Sequence, residues 1–202
     1  MVKTRRALAA LMLAGVLATG ACATGDDAVV TGPETFEFVS PDGQIEIHYA
    51  PAERKPVASL TGPDLLDPDT TLNVQEDHAG EVVILNLWGQ WCGPCRAESD
   101  DLQRLQEEFE PQGATVFGIN LRDPNRQKPV DFVTDNGITY PSIWDPSNAA
   151  VAALHGFPTS VVPATIILDK QHRVAAVYLA EITDEGLKDT VSGLLAEEGT
   201  AA

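Results

Sequence analysis

The run Val82-Val83-Ile84-Leu85-Asn86-Leu87-Trp88 is apolar at every position but one. Such a run predicts a strand covered on both faces. Leu102, Leu105 and Phe109 then recur at helical spacing, so a helix opens near Cys92. Ala114 to Asn120 predicts a second strand. Val130 and Phe132 fall in a helix closed by Asn136-Gly137. Ala149 to Leu154 predicts a short helix, and Ala164–Leu168 and Val174–Leu179 predict strands joined by residues 169–173. Thr183 can cap a last helix that carries Leu187, Val191, Leu194 and Leu195 on one face.

Upstream, Thr35–Val39 and Gln44–Tyr49 alternate apolar and polar residues around Asp42-Gly43, which predicts a β-hairpin. Residues 50–69 are rich in Pro and Asp and predict a loop, and Thr70–Val74 a short strand. The order is hairpin, then βαβα, then ββα. It implies an α/β fold in which helices cover a mixed central sheet.

The N-terminus has a different pattern. Lys3, Arg5 and Arg6 precede an uncharged apolar run from Ala7 to Ala18. A basic head and an apolar core of this length make a secretory leader. Thr19-Gly20-Ala21-Cys22 follows and is similar to the lipobox of bacterial lipoproteins, with Thr19 where an aliphatic residue is usual. That resemblance implies lipidation of Cys22. The chain thus divides into a leader (1–21), a polar tether (22–34) and one domain (35–199) whose first part, 35–56, is a hairpin extension.

Charge narrows the function. The chain has 202 residues with 13 Lys+Arg and 30 Asp+Glu, a net charge of −17. A surface this acidic repels phosphate backbones and excludes nucleic-acid binding. It also disfavours adsorption to anionic lipid, so membrane attachment needs the anchor. Three cysteines cannot build a multi-disulfide scaffold.

Two of them carry the candidate chemistry. Trp88-Gly89-Gln90-Trp91-Cys92-Gly93-Pro94-Cys95 follows the buried strand and opens the helix. Unpaired amides and the helix dipole favour an anion there, so Cys92 is expected to be the exposed, acidic, nucleophilic thiol. Cys95, one turn further in, is placed to close or resolve a disulfide. Pro94 fits the first turn, where its missing N–H costs little. A zinc site would need two more ligands, yet the four His are scattered at 48, 78, 155 and 172. A purely structural bridge would close a tiny loop and stabilise little.

Trp91-Cys92-Gly93-Pro94-Cys95 resembles the active-site motif of the thioredoxin superfamily. Asn86 and Glu98 narrow the resemblance to membrane-anchored relatives of the TlpA/ResA type, including CcsX-like proteins. Plain thioredoxins carry an Asp where this chain has Asn86. Glu98 is three residues after Cys95, on the same helical face, where a partly buried carboxyl can exchange protons with that thiol. The resemblance covers roughly residues 57–197 and implies a cis-proline facing the cysteines. Pro163, in Val162-Pro163-Ala164-Thr165, is chosen over Pro158. The backbone of Val162 would then pair with an extended substrate, beside Trp91, Gly93 and Pro94. Residues 120–149 look like the central insertion of the TlpA-like proteins.

The resemblance implies a monomeric extracytoplasmic thiol–disulfide oxidoreductase with no cofactor beyond a Cys92–Cys95 disulfide. It implies a CcdA- or DsbD-like membrane protein as electron donor and the haem-site disulfide of apocytochrome c as substrate. Copper-site cysteines of an oxidase, or general disulfide oxidation and isomerisation, are the alternatives. A peroxiredoxin-type peroxidase would need Thr-x-x-Cys, and a copper carrier of the Sco type a wider cysteine spacing and a His. Trp88 reads as core, Arg96 as solvated, His172 as a turn residue, and Tyr140–Asp145 as packing beside a possible substrate groove.

Overall fold

The computed structural model describes residues 35–39 and 43–197. The leader, Cys22 and the tether lie outside the described residues. The elements are β1 (Glu46–His48), β2 (Thr61–Pro63), β3 (Thr71–Asn73), α1 (Val74–Asp77), β4 (Val82–Trp88), α2 (Gly93–Phe109), β5 (Ala114–Leu121), α3 (Gln127–Asp135), β6 (Ser142–Asp145), β7 (Ala164–Leu168), β8 (Val174–Tyr178) and α4 (Asp184–Ala196). Six strands form one mixed sheet in the order β1-β8-β7-β4-β5-β6. β4 pairs parallel to β5 and antiparallel to β7.

Every residue of β4 is buried because both faces are covered. Val82, Ile84 and Trp88 join the layer that holds Leu102, Leu105 and Phe109 of α2 and Leu187, Val191 and Leu194 of α4. Val83, Leu85 and Leu87 join the opposite layer with Phe117, Ile119, Leu154 and Phe157. Full burial of each such aliphatic side chain is worth about 1.5–3 kcal/mol. By strand alternation Asn86 belongs with the α2 side. Thr183 caps α4 as expected, its Oγ1 accepting the Gly186 N–H at 3.2 Å.

The expected hairpin over residues 35–49 is corrected. Phe36 N–H donates to Pro56 O and Phe38 N–H to His155 O, while β1 pairs antiparallel with β8. Alternation reports that one face is buried, not which strand lies alongside. Phe36 packs edge-on to Tyr49, and Phe38 packs on Phe157 from the far layer. The expected loop over residues 50–69 contains β2, which pairs with β3 as a separate ribbon. The Ala149–Leu154 helix is a single 3₁₀ turn, Val151–Ala153. The insertion supplies α3 and the edge strand β6, which lies parallel to β5.

Gly118 marks how closely β5 and β6 approach. A Cβ there would run into Ser142 Oγ and lie 2.8 Å from Trp88 Nε1. These two atoms are themselves hydrogen-bonded at 3.0 Å. Gly118→Ala is therefore expected to destabilise the fold by about 1–3 kcal/mol through overpacking. The urea midpoint measures it; an unchanged midpoint would show that the Trp88–Ser142 pair yields freely.

Candidate functional site

β4 ends at Trp88, and after Gly89, Gln90 and Trp91 the chain reaches the cap of α2. Cys92 is the N-cap residue, and its sulfur accepts the Cys95 N–H at 3.2 Å. The two cysteines form a disulfide, with Cα atoms 5.3 Å apart. Both are buried in this form, Cys92 5% and Cys95 2% exposed. The expected exposed thiol is thus only marginally the more accessible one. What distinguishes the two is place: Cys92 caps the positive end of α2, where an anion is favoured. Gly93 and Pro94 lie exposed between them.

Val162–Pro163 is the one cis peptide bond among the described residues. Cys92 Sγ lies 3.7 Å from Val162 O, so the expected proline does border the cysteines. Pro163 is buried and Val162 half-buried. Ala164 begins β7 directly afterwards.

Glu98 has no exposed surface. Its Oε1 accepts from Asn86 Nδ2 at 2.8 Å and its Oε2 from the Ile182 N–H at 3.0 Å. Asn86 Nδ2 also donates to Thr165 Oγ1 at 3.2 Å. Burial pushes Glu98 up to about 7 from its ordinary 4.5; the two donors oppose this, and Glu181 and Asp101 add to it. Tyr140 is likewise raised, by burial first and then by the charge of Glu98.

The start of the insertion also reaches the site, which the sequence reading did not anticipate. Asp123 Oδ2 accepts the Gln90 N–H at 2.9 Å and Asn120 Nδ2 at 2.9 Å. Trp91 Nε1 donates to Leu121 O at 3.0 Å, and the Arg122 guanidinium lies 4.4 Å from the Trp91 ring centroid. Trp144 Nε1 donates to Asp123 O at 2.8 Å. The signal was the strand register: Trp88 faces Asn120, so the residues after each strand leave the sheet side by side. Trp88 is core, packed near Phe132. His172 occupies a left-handed turn position at φ 53°, and Arg96 is exposed.

A Cys-x-x-Cys pair at a strand-to-helix junction, with a cis-proline against it, defines a thioredoxin-like protein. The chain belongs to the AhpC/TSA family, whose model matches residues 55–177. Among solved structures it is similar to a secreted thiol-disulfide isomerase from Corynebacterium glutamicum. The two share 51% identity over 81% of this chain and 99% of that one, with a TM-score of 0.78. It is 33% identical to the thiol:disulfide interchange protein DsbE of Allochromatium vinosum, over 71% of this chain and 77% of that protein. It is 28% identical to the thiol-disulfide oxidoreductase ResA of Geobacillus thermodenitrificans, over 58% of this chain; the match spans 66% of that relative, just under two thirds.

Glu98 makes stability depend on pH. The folded protein holds this proton where the unfolded chain has released it. Its contribution is full below about pH 4.5 and is lost as pH rises through about 7. The loss is on the order of a few kcal/mol. Relative to Glu98→Gln, the wild type is expected to lose stability across that window in urea titrations. Parallel curves for the two proteins would contradict the assignment.

Proposed function

We propose that the chain is an extracytoplasmic thiol–disulfide oxidoreductase acting on disulfides of other proteins. The observation that carries this reading is the Cys92–Cys95 disulfide at the N-terminus of α2, above a buried Glu98 and against Val162-Pro163. In the reducing direction the Cys92 thiolate attacks a substrate disulfide, and one substrate sulfur leaves as a thiolate. Cys95 loses its proton and attacks Cys92 in the mixed disulfide. The second substrate sulfur departs, and two electrons have passed to the substrate. Glu98, held near neutrality, accepts the Cys95 proton. Trp91, Gly93 and Pro94 border the approach, and the Val162 backbone receives the extended substrate segment. The cysteine pair is the redox group.

Gly89 stands three residues before Cys92, where a peroxidase of the Thr-x-x-Cys kind would need threonine. This favours dithiol exchange over peroxide turnover. Two substrate readings follow from the relatives. Similarity to ResA and the pairing of Asn86 with Glu98 support reduction of the haem-site disulfide of apocytochrome c, with electrons from a CcdA- or DsbD-like membrane protein. The 51% identity to a secreted isomerase supports general disulfide exchange on secreted proteins. The anchor belongs to the same proposal: Cys22, lipidated, would tether the domain outside the membrane through residues 23–34.

Cys95→Ser removes the resolving thiol and is expected to leave substrates disulfide-linked to Cys92 in cells. Apocytochrome c among the captured proteins supports the first reading, and a broad set of secreted proteins the second. Failure to capture any disulfide partner, with Cys92 intact and reduced, would sink the exchange mechanism. For the anchor, Cys22→Ala should move the protein from the membrane fraction to the soluble one. A wild-type protein that is already soluble would remove the tether from this account.

A further inference from the structure

Arg122 sits beside the site but takes no part in the exchange chemistry. It is exposed, and it follows directly on the fully buried Leu121 that ends β5. Its backbone is left-handed, φ 55°, a conformation that a residue with a Cβ adopts at a cost and keeps only where its surroundings enforce it. Those surroundings are on either side. Leu121 O is held by the Trp91 indole, and Asp123 is held through its carboxylate by the Gln90 N–H and through its carbonyl by the Trp144 indole. The loop is thereby fixed to the segment that leads into Cys92, and the guanidinium is set on the Trp91 ring. Trp91 is itself 45% exposed, unlike the buried Trp88.

The charge of Arg122 is also unspent. Arg54, Arg104, Arg173 and Lys188 each pair with Asp or Glu. Among the described residues Arg122 makes its one charged-group contact with an aromatic ring, and Arg96, exposed in the first turn of α2, makes no ion pair. In a chain of net charge −17, two cations without carboxylate partners stand beside the reactive pair. A ring-stacked guanidinium keeps its outer N–H donors free in a planar fork, which matches a carboxylate.

We propose that Trp91 and Arg122 form a docking element for the polypeptide substrate, one that selects an Asp or Glu flanking the substrate cysteine. The indole takes the apolar part of the segment and the guanidinium its carboxylate. The field of the whole protein opposes an acidic partner at long range, but at physiological salt it is screened within about 8 Å. The direct contact therefore decides the preference. This inference rests on the disulfide-exchange reading above and specifies what that reaction accepts.

The test uses the full-length reduced protein and a set of otherwise identical disulfide-bonded peptides carrying Glu, Gln or Lys beside one cysteine, at constant ionic strength. In single-turnover reduction with peptide in excess, wild type is expected to show the largest second-order rate constant for the Glu peptide, with the difference in the half-saturating peptide concentration. Arg122→Gln should reduce the Glu-to-Gln ratio about two- to fivefold, the range of one exposed ion pair. Arg122→Glu should invert the order in favour of Lys, and Arg122→Lys should keep the Glu preference in part. A wild type that reduces all three peptides equally leaves disulfide exchange standing and overturns the docking proposal. So does an Arg122→Gln that loses activity uniformly across the set, since that marks a purely structural role. Absence of turnover on every peptide overturns both readings.

Discussion

A carboxyl group with no exposed surface lies one helical turn beyond Cys95, and much of the site is arranged around it. Burying a carboxylate is costly unless its oxygens find donors. Glu98 finds two, on different parts of the chain: Asn86 from the central strand β4, and the Ile182 amide from the segment leading into α4. Asn86 uses the same nitrogen to reach Thr165 on β7, two residues beyond the cis-proline. One side chain on α2 thus ties together the strand before the cysteines, the strand after Pro163 and the approach to the last helix. The polar break in the apolar run of β4 is what allows this. A Leu at position 86 would satisfy the core but leave Oε1 of Glu98 without a partner. A second acid there would repel the first.

The electrostatics of the thiol pair set two scales against each other. The chain is strongly acidic, and its summed field disfavours an added negative charge anywhere on it. The Cys92 sulfur, however, meets the N-terminus of α2 at contact distance, through the Cys95 N–H at 3.2 Å. Fields from exposed charges are screened within a Debye length, whereas a contact with a backbone donor in a buried site is not. The helix terminus is therefore the nearest charge-stabilising group to the Cys92 sulfur. Cys95 lacks the capping position and shares its helical face with Glu98, so one turn of helix suffices to make two chemically identical residues unlike.

The elements legible in the sequence were those whose signal is local. β4 announced itself by an apolar run that only a strand covered on both faces would carry. The Thr183 cap, the Asn136-Gly137 stop and the i, i+3 relation of Cys95 and Glu98 need no knowledge of distant residues. The resemblance implied a cis-proline, and Pro163 was legible as that residue because the strand that begins at Ala164 follows it without a gap. Missed features lack a local pattern or depend on pairing across long separations. β2 has three residues, two of them Gly62 and Pro63, so it gives no alternation to read; its partner β3 is the strand expected over Thr70–Val74. Residues 35–39 carry a true one-sided pattern, but their partner is His155, far along the chain. Asp123 carries no local signal of its role; only the register of β4 against β5 brings it to the Gln90 amide.

That register separates two jobs within one small area. Glu98, Asn86, Thr165 and the disulfide are buried between packed elements, where a change of one methylene is felt. Residues 89–91 and 121–123 leave the same end of the sheet together and meet outside it, Trp91 and Arg122 at the surface and Asp123 beneath. Arg122 itself contacts the Trp91 ring and makes no hydrogen bond to the buried Glu98–Asn86–Thr165 network. Asp123 is different, because its carboxylate holds both the loop and the residue before Trp91. On the docking proposal, redox chemistry and partner preference are set by different residues of this chain, joined by the buried fastening of Asp123 to Gln90 and Asn120.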